Sequence, residues 1–143
     1  MRFVTEQAAK LPQGWHAADL APNTYEELLE DVRLNAGHIT VWSGGSDRTV
    51  YGNPTVNHAF RAWHDSIHVG RGWDFTMTGE KLVAATQATT AFAAGHTDLA
   101  KVLLADVVGQ AEYYGIHGAF PEDQIGFIQS YLRDPLAALR EEW

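Results

Sequence analysis

The sequence predicts a mostly α fold, a compact helical domain carrying an N-terminal β-hairpin. Three observations predict it. Apolar residues recur at helical spacing, as in Val56, Phe60, Trp63 and Ile67. Helix-starting and helix-stopping residues bracket these stretches, with Pro54 and Pro121 as openers and Gly95 and Gly118 as closers. Residues alternate at 38–42 and at 48–51, on either side of Ser43-Gly44-Gly45-Ser46-Asp47, which reads as the hairpin turn.

Residues 1–23 read as an irregular arm punctuated by Pro12, Gly14 and Pro22, with Trp15 and Leu20 as anchors. Asn23 or Thr24 caps a helix from Tyr25 to Leu34, with Glu26 and Glu27 suited to its first turn and Gly37 as its stop. After the hairpin, Pro54 opens a helix that runs to about Val69 and breaks at Gly70-Arg71-Gly72. A second long helix runs from Thr78 or Gly79 to Ala94. A third starts at Thr97 or Asp98 and runs toward Tyr114, where Gly115 and Gly118 end it. Pro121 and Pro135 open two further helices. No repeat, linker or low-complexity run interrupts the chain, so residues 1–143 read as one domain.

Composition narrows the function. A content of 45% hydrophobic and 20% charged residues marks a globular chain with a core. A formal charge of −8 argues against nucleic-acid polymers and anionic membrane surfaces as partners, because both reward a basic face. The acids near the end (Glu122, Asp123, Asp134, Glu141, Glu142) read as a solvated face. No cysteine is present, which excludes disulfides, thiolate zinc sites and cysteine nucleophiles. A metal would be held by nitrogen and oxygen donors, which favours Mn, Fe, Mg or Zn. The start lacks a secretory pattern and no stretch approaches about 20 apolar residues, so the expectation is a cytoplasmic protein.

Three polar faces carry candidate chemistry. At 100° per residue, Asn57, Arg61, His64, Asp65 and His68 share one arc beside the Val56–Ile67 stripe. Such a face is costly to bury unless its groups have partners. On the next helix Glu80 and Gln87 point the same way, although an acid in a first turn also suits the helix dipole with no other role. On the third helix Asp106, Gln110, Tyr113, Tyr114 and His117 extend the Leu99, Val102 and Leu103 side. A carboxylate continuing a leucine stripe is normally paired or metal-bound, and a structural pair with Arg61 fits as well as a ligand role. Of the remaining histidines, His16 and His96 read as incidental, His38 as structural on the hairpin, and His58 as a marginal ligand.

Two metal motifs fit His64-Asp65-x-x-His68. In the zincin scheme both imidazoles face one Zn, and the acid after the first histidine is the general base, here Asp65. The second scheme uses the adjacent His-Asp pair. The stretch resembles the HD-domain phosphohydrolases, in particular their deoxynucleoside triphosphohydrolase branch: His64-Asp65-Ser66-Ile67-His68, a loop with Trp73 and Phe75, Gly79-Glu80, then Leu103-Leu104-Ala105-Asp106. The resemblance covers about residues 38–110 and implies His64, Asp65 and Asp106 as metal ligands, with His68 and Glu80 as groups that support the ligands or act as acid/base. The family's first histidine comes from an earlier helix, and only His38 is placed to stand for it. Strings such as Phe-Arg-Ala-Trp-His-Asp also look like uncharacterised small proteins of tailed bacteriophages, which implies a host-cytoplasmic protein.

These readings predict a metal-dependent hydrolase acting on a small nucleotide or phosphate ester. His64, Asp65 and Asp106 would hold a divalent ion, with His68 or His38 completing the shell. Glu80 and His68 would act as catalytic acid/base groups. Arg61, Gln110, Tyr113 and Tyr114 would meet a small phosphorylated ligand. The competing expectation is a non-enzymatic helical phage-type protein that binds a host protein or sequesters a small nucleotide, its His/Asp/Arg cluster serving as a structural network. Homo-oligomerisation stays open under both. A carboxylate-bridged di-metal bundle is disfavoured because the chain has no Glu-x-x-His.

Overall fold

The computed structural model describes residues 2–141. The chain is mostly α with a pair of short N-terminal strands, and it divides into two compact units, Met1–Phe75 and Thr76–Trp143.

The first unit contains α1 (Arg2–Ala9), β1 (Trp15–Ala18), α2 (Tyr25–Leu34), β2 (Ile39–Trp42) and α3 (Pro54–Arg71). Helix α2 begins and ends where the pattern predicts. Thr24 Oγ1 accepts from the Glu27 amide at 3.1 Å, and the Glu27 carboxylate accepts from the amides of Asn23 and Thr24. This capping box satisfies amides that the first turn leaves unpaired.

The expected hairpin resolves differently. The strand at 39–42 forms, but its partner is Trp15–Ala18, in parallel register with Trp15 opposite Ile39 and Ala18 opposite Trp42. Residues 48–51 form a turn. Parallel strands need a crossover, and α2 supplies it, giving a β1–α2–β2 unit. The loop that precedes the turn at 48–51 is held by side chains of α3. The arm expected to be irregular contains α1, whose Val4 and Ala8 are buried. Helix α3 packs on α1 and on both strands. Leu28, Ile39, Val41, Tyr51, Ala59, Phe60 and Trp63 form the core, with Phe3 edge-on to Trp63 and Tyr51 stacked on Phe60.

The second unit contains α4 (Met77–Ala93), α5 (Thr97–Leu104), a π-helical turn (Ala105–Gly109), α6 (Gln110–His117), α7 (Gln124–Arg133) and α8 (Pro135–Leu139). The predicted third helix is thus one rod interrupted by a π turn, and it continues through Gly115 to a left-handed C-cap at Gly118. Helix α7 starts three residues after Pro121, because the Asp123 carboxylate accepts from the Gly126 amide at 2.9 Å and sets the N-cap there. Pro135 opens α8 as expected, behind an Asp134 cap. Among the described residues no helix is long and apolar enough to cross a membrane.

Candidate metal centre

Helix α3 carries the polar arc that the spacing predicts, and the arc divides into two halves with different work. The N-terminal half holds the glycine loop after β2. Arg61 Nη1 donates to the carbonyls of Trp42 at 2.5 Å and Gly44 at 2.6 Å, and Nη2 donates to Gly45 at 3.4 Å. The guanidinium also lies over the Trp42 ring, 5.5 Å from its centroid. His58 Nε2 donates to the Ser43 carbonyl at 2.9 Å. Asn57 Nδ2 donates to Ser46 Oγ at 2.8 Å, and that hydroxyl donates to the Gly44 carbonyl. Gly44 itself is required, since a Cβ there would sit 2.3 Å from the Trp42 ring. A loop without ladder hydrogen bonds has carbonyls to satisfy, and α3 side chains satisfy them.

The C-terminal half brings His64 and His68 together. They are one helical turn apart, so their side chains stack on one face. Their Nε2 atoms are 3.1 Å apart and the ring planes meet at 70°. His68 is fully buried, with its ring edge-on to Phe75 at 4.7 Å, and Phe60 lies beside His64. His68 Nδ1 lies 2.7 Å from the Trp73 carbonyl oxygen. A carbonyl only accepts, so Nδ1 carries a proton and Nε2 is the nitrogen that faces His64.

The helix end builds this contact. The His68 carbonyl accepts from the amides of both Gly72 and Trp73, and Gly72 adopts φ +70°, a left-handed cap that suits glycine. The chain therefore doubles back, and the Trp73 carbonyl arrives under the His68 ring.

This is the wiring of a metal-bound histidine: one ring nitrogen fixed by a carbonyl, the other aimed at a shared point. The spacing agrees. Two nitrogens bound at 2.0–2.1 Å lie about 3.3 Å apart on a tetrahedral ion and about 2.9 Å apart at a right angle, and the observed separation falls between these. The pair can hold a divalent ion.

Asp65 is half-buried on α3 next to His64, and Glu80 is half-buried in the first turn of α4. Asp106 lies in the π turn and accepts from Gln110 Nε2 at 2.5 Å, so these two partner each other. The buried Tyr113 hydroxyl bonds the Glu141 carboxylate. That hydrogen bond, then burial and the charges of Glu141 and Glu122, hold its phenol above the ordinary tyrosine range. Burial first, then Glu112, does the same to Tyr131. Tyr114 is exposed and lies against Phe120. His117 Nε2 donates to the Leu139 carbonyl at 2.7 Å, tying α6 to α8.

His38 finds a partner that spacing alone does not suggest. Its Nε2 is 2.8 Å from Nδ1 of His16, a residue that read as incidental. The signal was the alternation of Trp15–Ala18, too short to stand out as a strand. No family model matches the chain, and neither a curated protein nor a solved structure matches it.

Proposed function

We propose that this chain is a divalent-metal-dependent hydrolase in which His64 and His68 hold the cation. The observation that carries the reading is the 3.1 Å approach of the two Nε2 atoms, with His68 locked by the Trp73 carbonyl. It supports the scheme in which both histidines are ligands, with Asp65 as the adjacent acid. Two imidazoles leave coordination positions open to water, as catalytic sites do and closed structural sites do not. A bound divalent ion lowers the pKa of such a water toward about 7 and polarises the bond under attack. Asp65, one residue after His64, would take the proton of a water held there. Phe60 and Phe75 flank the imidazoles and exclude bulk water from that side.

The substrate class within this reading is a small nucleotide or phosphate ester. The charge of −8 supports a small ligand over a long polyanion, and phosphate chemistry rests on the resemblance of the His64-Asp65 stretch to the HD-domain phosphohydrolases. A second reading, a helical protein that binds a host protein or sequesters a nucleotide, is supported by the structural bonds of the polar residues: Arg61 donates to the Trp42 and Gly44 carbonyls, and Asp106 accepts from Gln110.

The test is metal content and Mn²⁺ or Zn²⁺ binding of the purified protein, followed by a hydrolysis screen against deoxynucleotides and phosphodiesters. The expected result is one bound equivalent at the α3 pair and metal-dependent turnover, both lost in His64→Ala. Metal without turnover on any phosphate ester removes the substrate class. Failure of the wild-type protein to bind either cation removes the centre.

A further inference from the structure

The N-terminal unit contains a second imidazole pair, formed across the two strands. His16 lies on β1, opposite Thr40, and His38 directly precedes β2. Side chains alternate along a strand, so Thr40 and His38 project to the same face as His16. The rings stack with centroids 5.0 Å apart at 27°, and His16 Nδ1 lies 2.8 Å from His38 Nε2. His38 Nδ1 is 3.0 Å from the Gln13 carbonyl oxygen. That carbonyl fixes the His38 proton on Nδ1, so the Nε2 lone pair faces His16. The arrangement at His68 and Trp73 is repeated with different backbone.

We propose that His16 and His38 form a second, solvent-open site for an imidazole-favouring divalent cation such as Zn²⁺, clamping β1 to β2. Three observations support it. The nitrogen separation lets both atoms bind one ion after a small rotation of His16, which is exposed and has room to turn. His38 is pre-oriented by Gln13, so only one ring must be ordered on binding. The open side leaves the remaining coordination positions to water, which suits Zn²⁺ and its late first-row neighbours at imidazole nitrogen and gives Mg²⁺ or Ca²⁺ no oxygen cage. On binding, the neutral His16 ring takes its other tautomer, with the proton on Nε2 toward solvent and the Nδ1 lone pair on the ion.

Zn²⁺ alone is the probe, titrated calorimetrically into the full chain. Wild type is expected to take up one equivalent at this pair, in addition to any at His64 and His68. His16→Ala loses that equivalent or weakens it by at least about tenfold. His38→Gln does the same. Zn²⁺ raises the wild-type Tm, and part of that rise disappears in His16→Ala, because a ligand that binds only the folded strand pair stabilises it. His16 is exposed, so its variant keeps the fold, which circular dichroism checks. Unchanged stoichiometry and affinity in His16→Ala overturn the proposal. The proposal is independent of the α3 centre: loss in His16→Ala with no change in His64→Ala keeps this site and removes the other, and the reverse pattern does the opposite.

Discussion

The two histidine pairs of the N-terminal unit are wired alike and sited differently. In each, a backbone carbonyl fixes Nδ1 of one ring, Trp73 for His68 and Gln13 for His38, while Nε2 meets the second imidazole. The α3 pair is set by four-residue spacing on one helix, and His68 is fully buried. The strand pair is set by register between two short strands, and His16 is exposed. Burial strengthens electrostatic interaction with a bound ion and slows exchange with water, so the α3 pair suits a resident ion and the strand pair a labile one. The difference also separates their dependence on the fold. A helix turn survives local opening better than a contact that needs two four-residue strands to stay paired.

Several substitutions would break or sharpen this contrast. The largest effect belongs to His68→Ala, which removes a fully buried ring and its bond to the Trp73 carbonyl and is expected to cost about 3 kcal/mol. Urea unfolding measures it, and a cost below about 1 kcal/mol would mean that this ring is not part of the core. Arg61→Lys comes next. An ammonium cannot fork to the carbonyls of Trp42 and Gly44 together, so about 1–2 kcal/mol is lost and amide exchange rises across residues 43–46. Unaltered exchange there would detach the loop from α3.

His64→Ala removes a half-buried ring and is expected to cost about 1 kcal/mol, while cation affinity at the centre falls by about a hundredfold. A stability loss as large as that of His68→Ala would erase the distinction between the two rings. His16→Ala without metal should stay within about 0.5 kcal/mol of wild type, as exposed positions do. The last effect is on pH dependence and lies in the other unit. The Tyr113 phenol is raised by its bond to Glu141, so the folded chain holds that proton more tightly than the unfolded one. Its contribution is complete below the ordinary tyrosine pKa of about 10 and is lost as pH rises through the folded value. Ultraviolet titration of tyrosinate should show late ionisation of Tyr113 and Tyr131, and only the Tyr113 component moves down in Glu141→Gln; absence of that movement would separate Tyr113 from Glu141.

Much of the helical architecture was legible in the residues. Thr24 with Glu27, Pro54, Gly72, Gly95 and Pro135 act within a few residues of where they stand, and the helix ends follow them closely. The meeting of His64 and His68 was legible for the same reason, since a four-residue separation on a helix fixes direction before any packing occurs. The roles of the shared arc were not. Asn57 and Arg61 looked like part of one site with His64, yet Asn57 donates to the Ser46 hydroxyl and Arg61 to the carbonyls of Trp42 and Gly44, which carry no side-chain signature. The His16–His38 contact was hidden because both residues lie at short strands whose pairing depends on a crossover helix, not on a hairpin turn.

The sequence by itself determined the helix spans, their caps and the face shared by His64 and His68, because these depend on backbone preferences and on periodicity over a few residues. Tertiary structure alone decided the parallel pairing of β1 with β2, the capture of the glycine loop by Arg61, the burial of His68 beneath Phe75 and the joining of His16 to His38. Those contacts close chain loops, and loop closure is governed by how whole elements pack.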